Sequence, residues 1–468
     1  MSRSGVKLPN LLKPTALDRP VNQRLETTIL FPATANQSSC KFVFDRKGIL
    51  DSNSQVEIML LVPEFLANGA VAPNVSESKS CLPATTGIAA VVKSAYLEIG
   101  GRRVATLNEV GQYINWRRSR WSPEYREQIA TIKQGGNDVF VGSGSPAYPV
   151  VAPFGTIGRP SNETIQLTAA NASTTSAHQI LHSKSASSPG FVLSLSQLCP
   201  MLRGVQLPLF AIAQEVSLVI EFKKNLTAQT AWCPPLTHTA NSAGVQGTIH
   251  IPSLKIMADY LFYPDEMDNL SSAIMSQGGY DILYDEVQTQ TSFEGSSTGT
   301  TFDFTAQLAL GGKKVKSLVV KRLSPASGAD NFGIYKADAL TTPSTYNWVI
   351  DSKPFYAQSV SNSATLFNET SRVDDSPLRI SQAQYSWKNS AGVVADSNFT
   401  ARTFNGHSQI RLQGRMKPVG LRLTNSAITP VAFSPVTSGE AALPYNHMFF
   451  ITCQRLLNIS NGLVNMIE

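Results

Sequence analysis

His178 and His182 stand four residues apart, the spacing that places two imidazoles on one helical turn where they could share a metal ion. A hydrolytic zinc site of this pattern needs a glutamate directly after the first histidine to activate the metal-bound water. Gln179 occupies that position and no third ligand is near, so a plain polar loop is expected. Gly311-Gly312-Lys313-Lys314 looks like part of a phosphate-binding loop, but that loop needs glycine where Gln307 stands and Ser or Thr where Lys314 stands. A tight hairpin between two strands is expected there instead. Glycoside cleavage needs two carboxylates held across one bond. Only Asp374-Asp375, which reads as a turn, and Asp285-Glu286, neighbours on a strand, suggest themselves. There is no G-x-S-x-G elbow with partners and no Cys/His couple. The chain therefore reads as a non-enzyme with no catalytic, cofactor-binding or metal-ligating residues and no cofactor. A carbohydrate-active or glycan-binding β-sandwich protein is the alternative.

The composition points away from a charged enzyme surface. The chain has 468 residues, too many for one ordinary core, with 42% hydrophobic and 15% charged residues. Ser, Thr, Asn and Gln make up the difference, as many strands joined by polar loops require. Cys40, Cys81, Cys199, Cys233 and Cys453 are scattered with no CxxC pair, which argues against a zinc site or a disulfide framework and fits folding in a reducing compartment. The N-terminus lacks the apolar core of a signal peptide, and no run reaches the roughly 18 apolar residues of a membrane span. The Asn-x-Ser/Thr sequons at Asn162, Asn171, Asn368 and Asn398 read as chance.

Residues 1–25 form a basic arm. Arg3, Lys7, Lys13, Arg19 and Arg24 face a single acid, Asp18, and Pro9 and Pro14 disfavour regular structure. Such an arm meets a genome or an inner membrane surface, or ties neighbouring subunits together. From Glu26 onward the pattern is β: Lys41–Phe44, Val56–Val62, Ile88–Ile99, Phe191–Leu195, Val216–Phe222 and Thr248–Tyr263 are rich in Val, Ile, Leu and Phe. Gly48 and the Asp51–Ser54 turn read as the link of a hairpin. A helical island interrupts the strands, with Asn108 capping one helix and Ser122-Pro123-Glu124 opening another. Between them stand Trp116, Arg117, Arg118, Arg120 and Trp121, the composition of a protein or nucleic-acid hot spot. They are expected to pack the helices on the body or to touch another subunit. Later strands fall at Phe302–Leu308, Val315–Leu323, Leu378–Trp387, Ser408–Leu412, Val419–Leu423 and His447–Leu457, with Ser324–Pro377 a long polar connection.

One stretch organises all of this. The strand to Tyr263 is broken by Pro264; Asp265 and Glu266 open a short helix whose apolar face is Leu270, Ile274 and Met275; Gly278 and Gly279 stop it; a new strand starts at Tyr280. The expected division is an arm (1–25), a first β-domain (26–264), a helical linker (265–279) and a second β-domain (280–468).

Tyr260, Leu261, Tyr263, Asp265 and Glu266, followed by Tyr280, Ile282, Leu283, Val287 and Gln288, resemble the joint of the double-jelly-roll major capsid proteins of large eukaryotic DNA viruses, virophages and polinton-like viruses. Met267 and Asp268 stand where that family usually has a basic pair. Phe191–Phe222, with its Leu-Pro-Leu and Ile-Glu-Phe segments, and the closing stretch from Met448 resemble the same family. The resemblance implies an all-β chain of two consecutive jelly-roll barrels with short helices in the connections. It implies a structural shell protein that forms homotrimers with six similar lobes and tiles an icosahedral capsid. Its partners would be itself, penton and minor capsid proteins, and the genome or an inner membrane through the arm. Its place would be the virion, assembled in the host-cell interior.

Overall fold

In each half of the chain the first long strand pairs with the last. The computed structural model describes residues 23–36, 38–61, 86–118, 120–122, 131–134, 190–223, 250–264, 279–294, 302–310, 313–323, 344–350, 353–355, 407–411, 419–425 and 445–467, with isolated short pieces between them. The first half contributes β1 (Arg24–Leu30), β2 (Ser39–Val43), β3 (Ile49–Leu50), β4 (Gln55–Leu61), β5 (Val92–Ile99), β6 (Arg102–Asn108), β7 (Gly190–Ser194), β8 (Leu207–Pro208), β9 (Val216–Phe222) and β10 (His250–Phe262). β10 takes β1 on one side and both β3 and β4 on the other; β4 then pairs with β7 and β3 with β8. The facing sheet runs β6-β5-β9-β2.

The second half repeats this order. It contributes β11 (Tyr280–Glu294), β12 (Phe302–Leu308), β13 (Val315–Leu323), β14 (Ser344–Ile350), β15 (Lys353–Pro354), β16 (His407–Arg411), β17 (Val419–Asn425), β18 (Tyr445–Ser460) and β19 (Leu463–Ile467). One sheet runs β11-β18-β13-β16, with β19 added to β18, and the other β12-β17-β14-β15. With β3/β4 and β7/β8 each counted as one interrupted strand, both halves show the same order. First, eighth, third and sixth strands share one sheet; second, seventh, fourth and fifth share the other. All these pairings are antiparallel, the arrangement of a jelly roll. The chain is all-β, a double jelly roll. Among the described strands, none of the first half pairs with one of the second.

Two expected hairpins are corners. β2 and β3 lie in opposite sheets, as do β12 and β13, so neither Gly48 nor Gly311-Gly312 closes a hairpin. In the second barrel Leu310 is fully buried, and the chain turns tightly around it through Leu310 N–H to Leu308 O (2.9 Å) and Lys313 N–H to Leu310 O (3.2 Å). A leucine inserted between the sheets sends the two strands to opposite walls. At the first corner Gly48 has φ +54°, and a Cβ there would lie 2.8 Å from the Leu261 carbonyl oxygen. Gly48→Ala is therefore expected to destabilise the chain by about 2 kcal/mol, through left-handed backbone and a backbone clash together. Chemical denaturation of the purified variant measures it; unchanged stability would mean that the corner relaxes freely.

Several other elements differ from expectation. Gly87–Val91 is a buried 3-10 turn, so the strand expected from Ile88 starts at Val92. Asn108 ends β6 and does not cap a helix; Glu109 takes φ +53°, and α1 (Val110–Arg118) follows. Ser122 behaves as read, its Oγ accepting from Tyr125 N–H at 3.2 Å. β1, β6 and β14 were not expected as strands. Ser271 and Ser272 are helical in the joint, and the rest of 265–278 lies outside the described residues, as does Leu378–Trp387.

A single connected core runs from the first barrel, through Phe42, Ile58, Phe191 and Tyr260, into Tyr284, Phe450 and Ile459 of the second. The second barrel also has its own interior, where Trp348 of β14 meets Phe449 of β18 edge-on at 6.3 Å, both fully buried. β18 is apolar on both faces in its Met448–Ile451 stretch, as expected of a strand covered on both sides. Cys40, Cys199 and Cys453 are buried free thiols; burial pushes the first two up to about 12 and Cys453 to about 11, so they pack as small apolar groups.

Candidate functional site: the seam between the barrels

The two barrels meet edge to edge. β11, an edge strand of the second barrel, lies along β6, an edge strand of the first. Tyr284 donates its hydroxyl hydrogen to Val104 O (3.2 Å), and Thr289 Oγ1 donates to Asn108 O (3.1 Å). Ile282, Tyr284 and Val287 of β11 all join the shared core. On the flank of this edge, Tyr113 of α1 packs against Phe450 at 5.5 Å between ring centres. Glu286, on β11, pairs with Arg455 of β18 at 2.7 Å, both side chains largely buried.

A second clasp comes from the far end of the chain. β18 and β19 are joined by Asn461-Gly462, both with positive φ, the two-residue turn that matches strand twist. This tip rests on the loop before β9: Ala213 N–H donates to Gly462 O (2.8 Å), and Val464 N–H donates to Gln214 Oε1 (3.1 Å). A Cβ at residue 462 would sit 2.7 Å from the Ala213 methyl carbon, so glycine serves both the turn and the close approach. Gly279, at the other end of the seam, has φ +119° with Ile459 O and the Asn458 side chain crowding its missing Cβ.

Burial raises two tyrosines, Tyr284 at the seam and Tyr260 within the first barrel. Tyr284 and Tyr260 are both pushed up to about 12 by desolvation, Tyr284 further by the Glu286 carboxylate. A phenol whose folded value lies above its unfolded value near 10 holds its proton more tightly in the native state. The stability it contributes is complete below about pH 10 and is lost as pH rises toward 12. Stability is thus expected to fall across that window. Tyr284→Phe should flatten the fall, read by denaturant titration and tyrosinate absorbance; an equally steep fall in the variant would exclude Tyr284 as the cause.

The residues singled out in the sequence are placed as follows. Arg3, Lys7, Lys13 and Arg19 lie outside the described residues. Arg24, read as the last cation of the arm, is the first residue of β1, its guanidinium 3.7 Å from Glu26. Trp116 and Arg120, read among possible subunit contacts, are 2% and 3% exposed. The Arg120 guanidinium stacks 5.0 Å over the Trp116 ring. Both are buried within the chain. Trp121 is half-buried on the core, edge-on to Tyr125 at 5.0 Å. Arg117 lines a cavity in the seam. Arg118 closes α1, and its side chain lies outside what is described.

The possible chemistry is similarly resolved. Asp285 and Glu286 point to opposite faces of β11 and answer different cations, Asp285 to Lys316 at 2.6 Å and Glu286 to Arg455, so they cannot flank one bond. Asp374, Asp375, His178 and His182 lie outside the described residues. Gln179 starts a short strand paired with Glu163–Thr164 and Ser80–Cys81. Among the described residues no cluster of three His, Cys, Asp or Glu could hold a metal ion.

Sequence reading missed the residues that make the seam. Tyr113, Gln214 and Tyr284 are ordinary in type, and only their placement makes them a clasp. Asn461-Gly462 is the one signal that could have located part of it, as a two-residue turn next to a long apolar strand.

No protein-family profile matches this sequence, and no curated protein matches it. Solved structures do. A chain of the Sputnik virophage particle is 11% identical, with a TM-score of 0.58 over 100% of this chain and 93% of that one. A chain of the PBCV-1 virus capsid is 13% identical, with a TM-score of 0.54 over 97% and 98%. The Faustovirus major capsid protein is 10% identical, with a TM-score of 0.52 over 98% and 93%. Over nearly its full length, this chain carries the double-jelly-roll fold of viral major capsid proteins.

Proposed function

We propose that this chain is the building block of a DNA-virus shell, three copies closing into a block of six barrels that tiles an icosahedral surface. The observation that carries the reading is the seam. Within the chain, the fifth strand of barrel one (β6) meets the first strand of barrel two (β11). The equivalent strands left over are β15, the fifth of barrel two, and β1, the first of barrel one. On β11 the apolar residues Ile282, Tyr284 and Val287 are buried by barrel one. On and just after β1, Leu25, Ile29 and Phe31 are 58%, 54% and 69% exposed, and Phe355 beside β15 is 47% exposed. Repeating the internal contact between copies joins β15 of one copy to β1 of the next, and three such steps close a ring. Exposed apolar residues on an edge strand are otherwise a liability that invites association.

The division that goes with this reading is barrel one to residue 264, a joint over 265–279 and barrel two from 280. The arm carrying Arg3, Lys7, Lys13 and Arg19 precedes β1 in the sequence, and it ties subunits together or meets genome or membrane beneath the shell. The partners are then further copies, penton proteins and minor proteins, and the protein's place is the virion.

Light scattering on the purified protein tests this. The expected mass is three times 50.6 kDa, and Ile29→Asp is expected to shift it to the monomer while leaving the fold intact by circular dichroism. A wild-type monomer, or a trimer indifferent to Ile29→Asp and to Phe355→Asp, would overturn the trimer or its contact respectively.

A further inference from the structure

We infer that the end of the chain where the tight turns gather is a docking surface for an anionic lipid bilayer. The chain leaves the first barrel for its long connections from the opposite end, where β4 stops at Leu61 opposite His250 and β9 stops at Phe222 opposite Val92. Long connections are poor in charge in both halves. Residues 224–249 hold one cation, Lys224, and residues 426–444 hold one acid, Glu440. The tight-turn end has a different character.

Three turns from separate parts of the chain fasten there on one segment, Ile212–Glu215. Arg46, in the corner before β3, donates from Nε to Ile212 O (2.9 Å). Gly100, in the turn from β5 to β6, donates its N–H to Glu215 O (2.9 Å). Gly462, in the turn from β18 to β19, accepts from Ala213 N–H (2.8 Å). These bonds hold the tips side by side, so the residues on them form one surface across both barrels. Arg46 and Arg102 are exposed on it, and neither is in an ion pair among the described residues. The acids nearby are already answered within the chain: Glu26 and Asp45 by Lys47, Glu98 by Arg103 and Glu215 by Lys41. An incoming phosphodiester therefore meets arginine, whose planar fork matches it.

Apolar side chains stand among these cations. Leu463 follows Gly462 directly and is 53% exposed; Tyr280, which lies opposite Ile459 next to the same turn, is 42% exposed. Against the backbone of a nucleic acid an exposed leucine gains little. At a bilayer it can enter the acyl boundary, with tyrosine at the level of the head groups and arginine on the phosphates. Cations and apolar side chains on one surface are satisfied together by a bilayer and only in part by a duplex. The inference rests on the shell reading for the setting in which a bilayer is met. The contact itself belongs to the body of a single chain.

Co-flotation of the full chain with vesicles at low salt tests it, using phosphatidylcholine alone and phosphatidylcholine with about one third phosphatidylserine. Binding is expected to the anionic vesicles and not to the neutral ones. Arg46→Gln and Arg102→Gln are each expected to weaken it about fivefold, the contribution of one cation near an anionic surface. Leu463→Ser is expected to weaken it by about the same factor while leaving the binding of a short duplex DNA unchanged. Lys93→Gln, an exposed cation beside Val92 at the opposite end, is expected to bind as the wild type does. Circular dichroism checks each fold, and variants in separate turns guard against one that misfolds. Absent binding, equal binding to neutral vesicles, or unchanged binding by the three tip variants would each overturn the inference, the last by leaving the contact to the arm. Tighter binding of duplex DNA than of anionic vesicles through the same arginines would overturn it in favour of nucleic acid. Light scattering keeps the two readings apart: a trimer that ignores the vesicles sinks the bilayer surface alone, and a monomer that binds them sinks the trimer alone.

Discussion

Phe450→Ala is expected to split one unfolding transition into two. The side chain is 1% exposed and reaches across the seam to Tyr113, within the core that both barrels share. Removing a buried phenyl ring leaves a cavity and costs about 3 to 5 kcal/mol. Here the loss falls on the contact that couples the barrels, so their melting should become separable as well as earlier. The companion variant Thr289→Val, which removes only a half-exposed hydrogen bond to Asn108 O, should cost about 1 kcal/mol and leave a single transition. Differential scanning calorimetry distinguishes the two. A single, merely lowered transition for Phe450→Ala would show that the barrels are coupled elsewhere, as through the Gly462 clasp.

Trp348→Ala should be the more damaging change, with its effect confined to one barrel. Trp348 is fully buried between the sheets of the second barrel, against Phe449, and is not part of the core shared with the first barrel. The expected cost is again about 3 to 5 kcal/mol, at the upper end because two facing sheets cannot easily collapse on the void. Trp348→Phe keeps most of the ring and should recover more than half of the loss. Proteolysis of the alanine variant should release a resistant first-barrel fragment; equal digestion of both halves would mean that the first barrel does not stand without the second.

The strands that were legible in the sequence are those buried on at least one face. Val216–Phe222, Phe302–Leu308 and Val315–Leu323 lie where their Val, Ile, Leu and Phe runs placed them. β1 escaped because its pattern is inverted: Leu25 and Ile29 face outward, and the basic residues before it made the segment read as arm. β14 escaped inside a polar stretch, where Trp348 is a buried large side chain flanked by Asn347. The two corners were read as hairpins because a glycine between strands signals a change of direction and carries nothing about which sheet the next strand joins. The Trp116–Trp121 cluster shows the same limit. Its composition is that of a surface hot spot, yet α1 turns Trp116 inward and Arg120 folds back over it. Composition names the residues that matter; the face they occupy is a property of packing.

In each barrel the strand that pairs with the first one is made late, β10 in the first and β18 in the second, and this sets when each barrel can close. β11 waits for β18, Tyr280 lying opposite Ile459, and the clasp on Ala213 waits for Gly462. During synthesis the first barrel can form while the second is still an open set of strands with its apolar edge uncovered. A chain that stops short of β18 therefore lacks a closed second barrel, so the completeness of the fold depends on the order in which the strands are threaded.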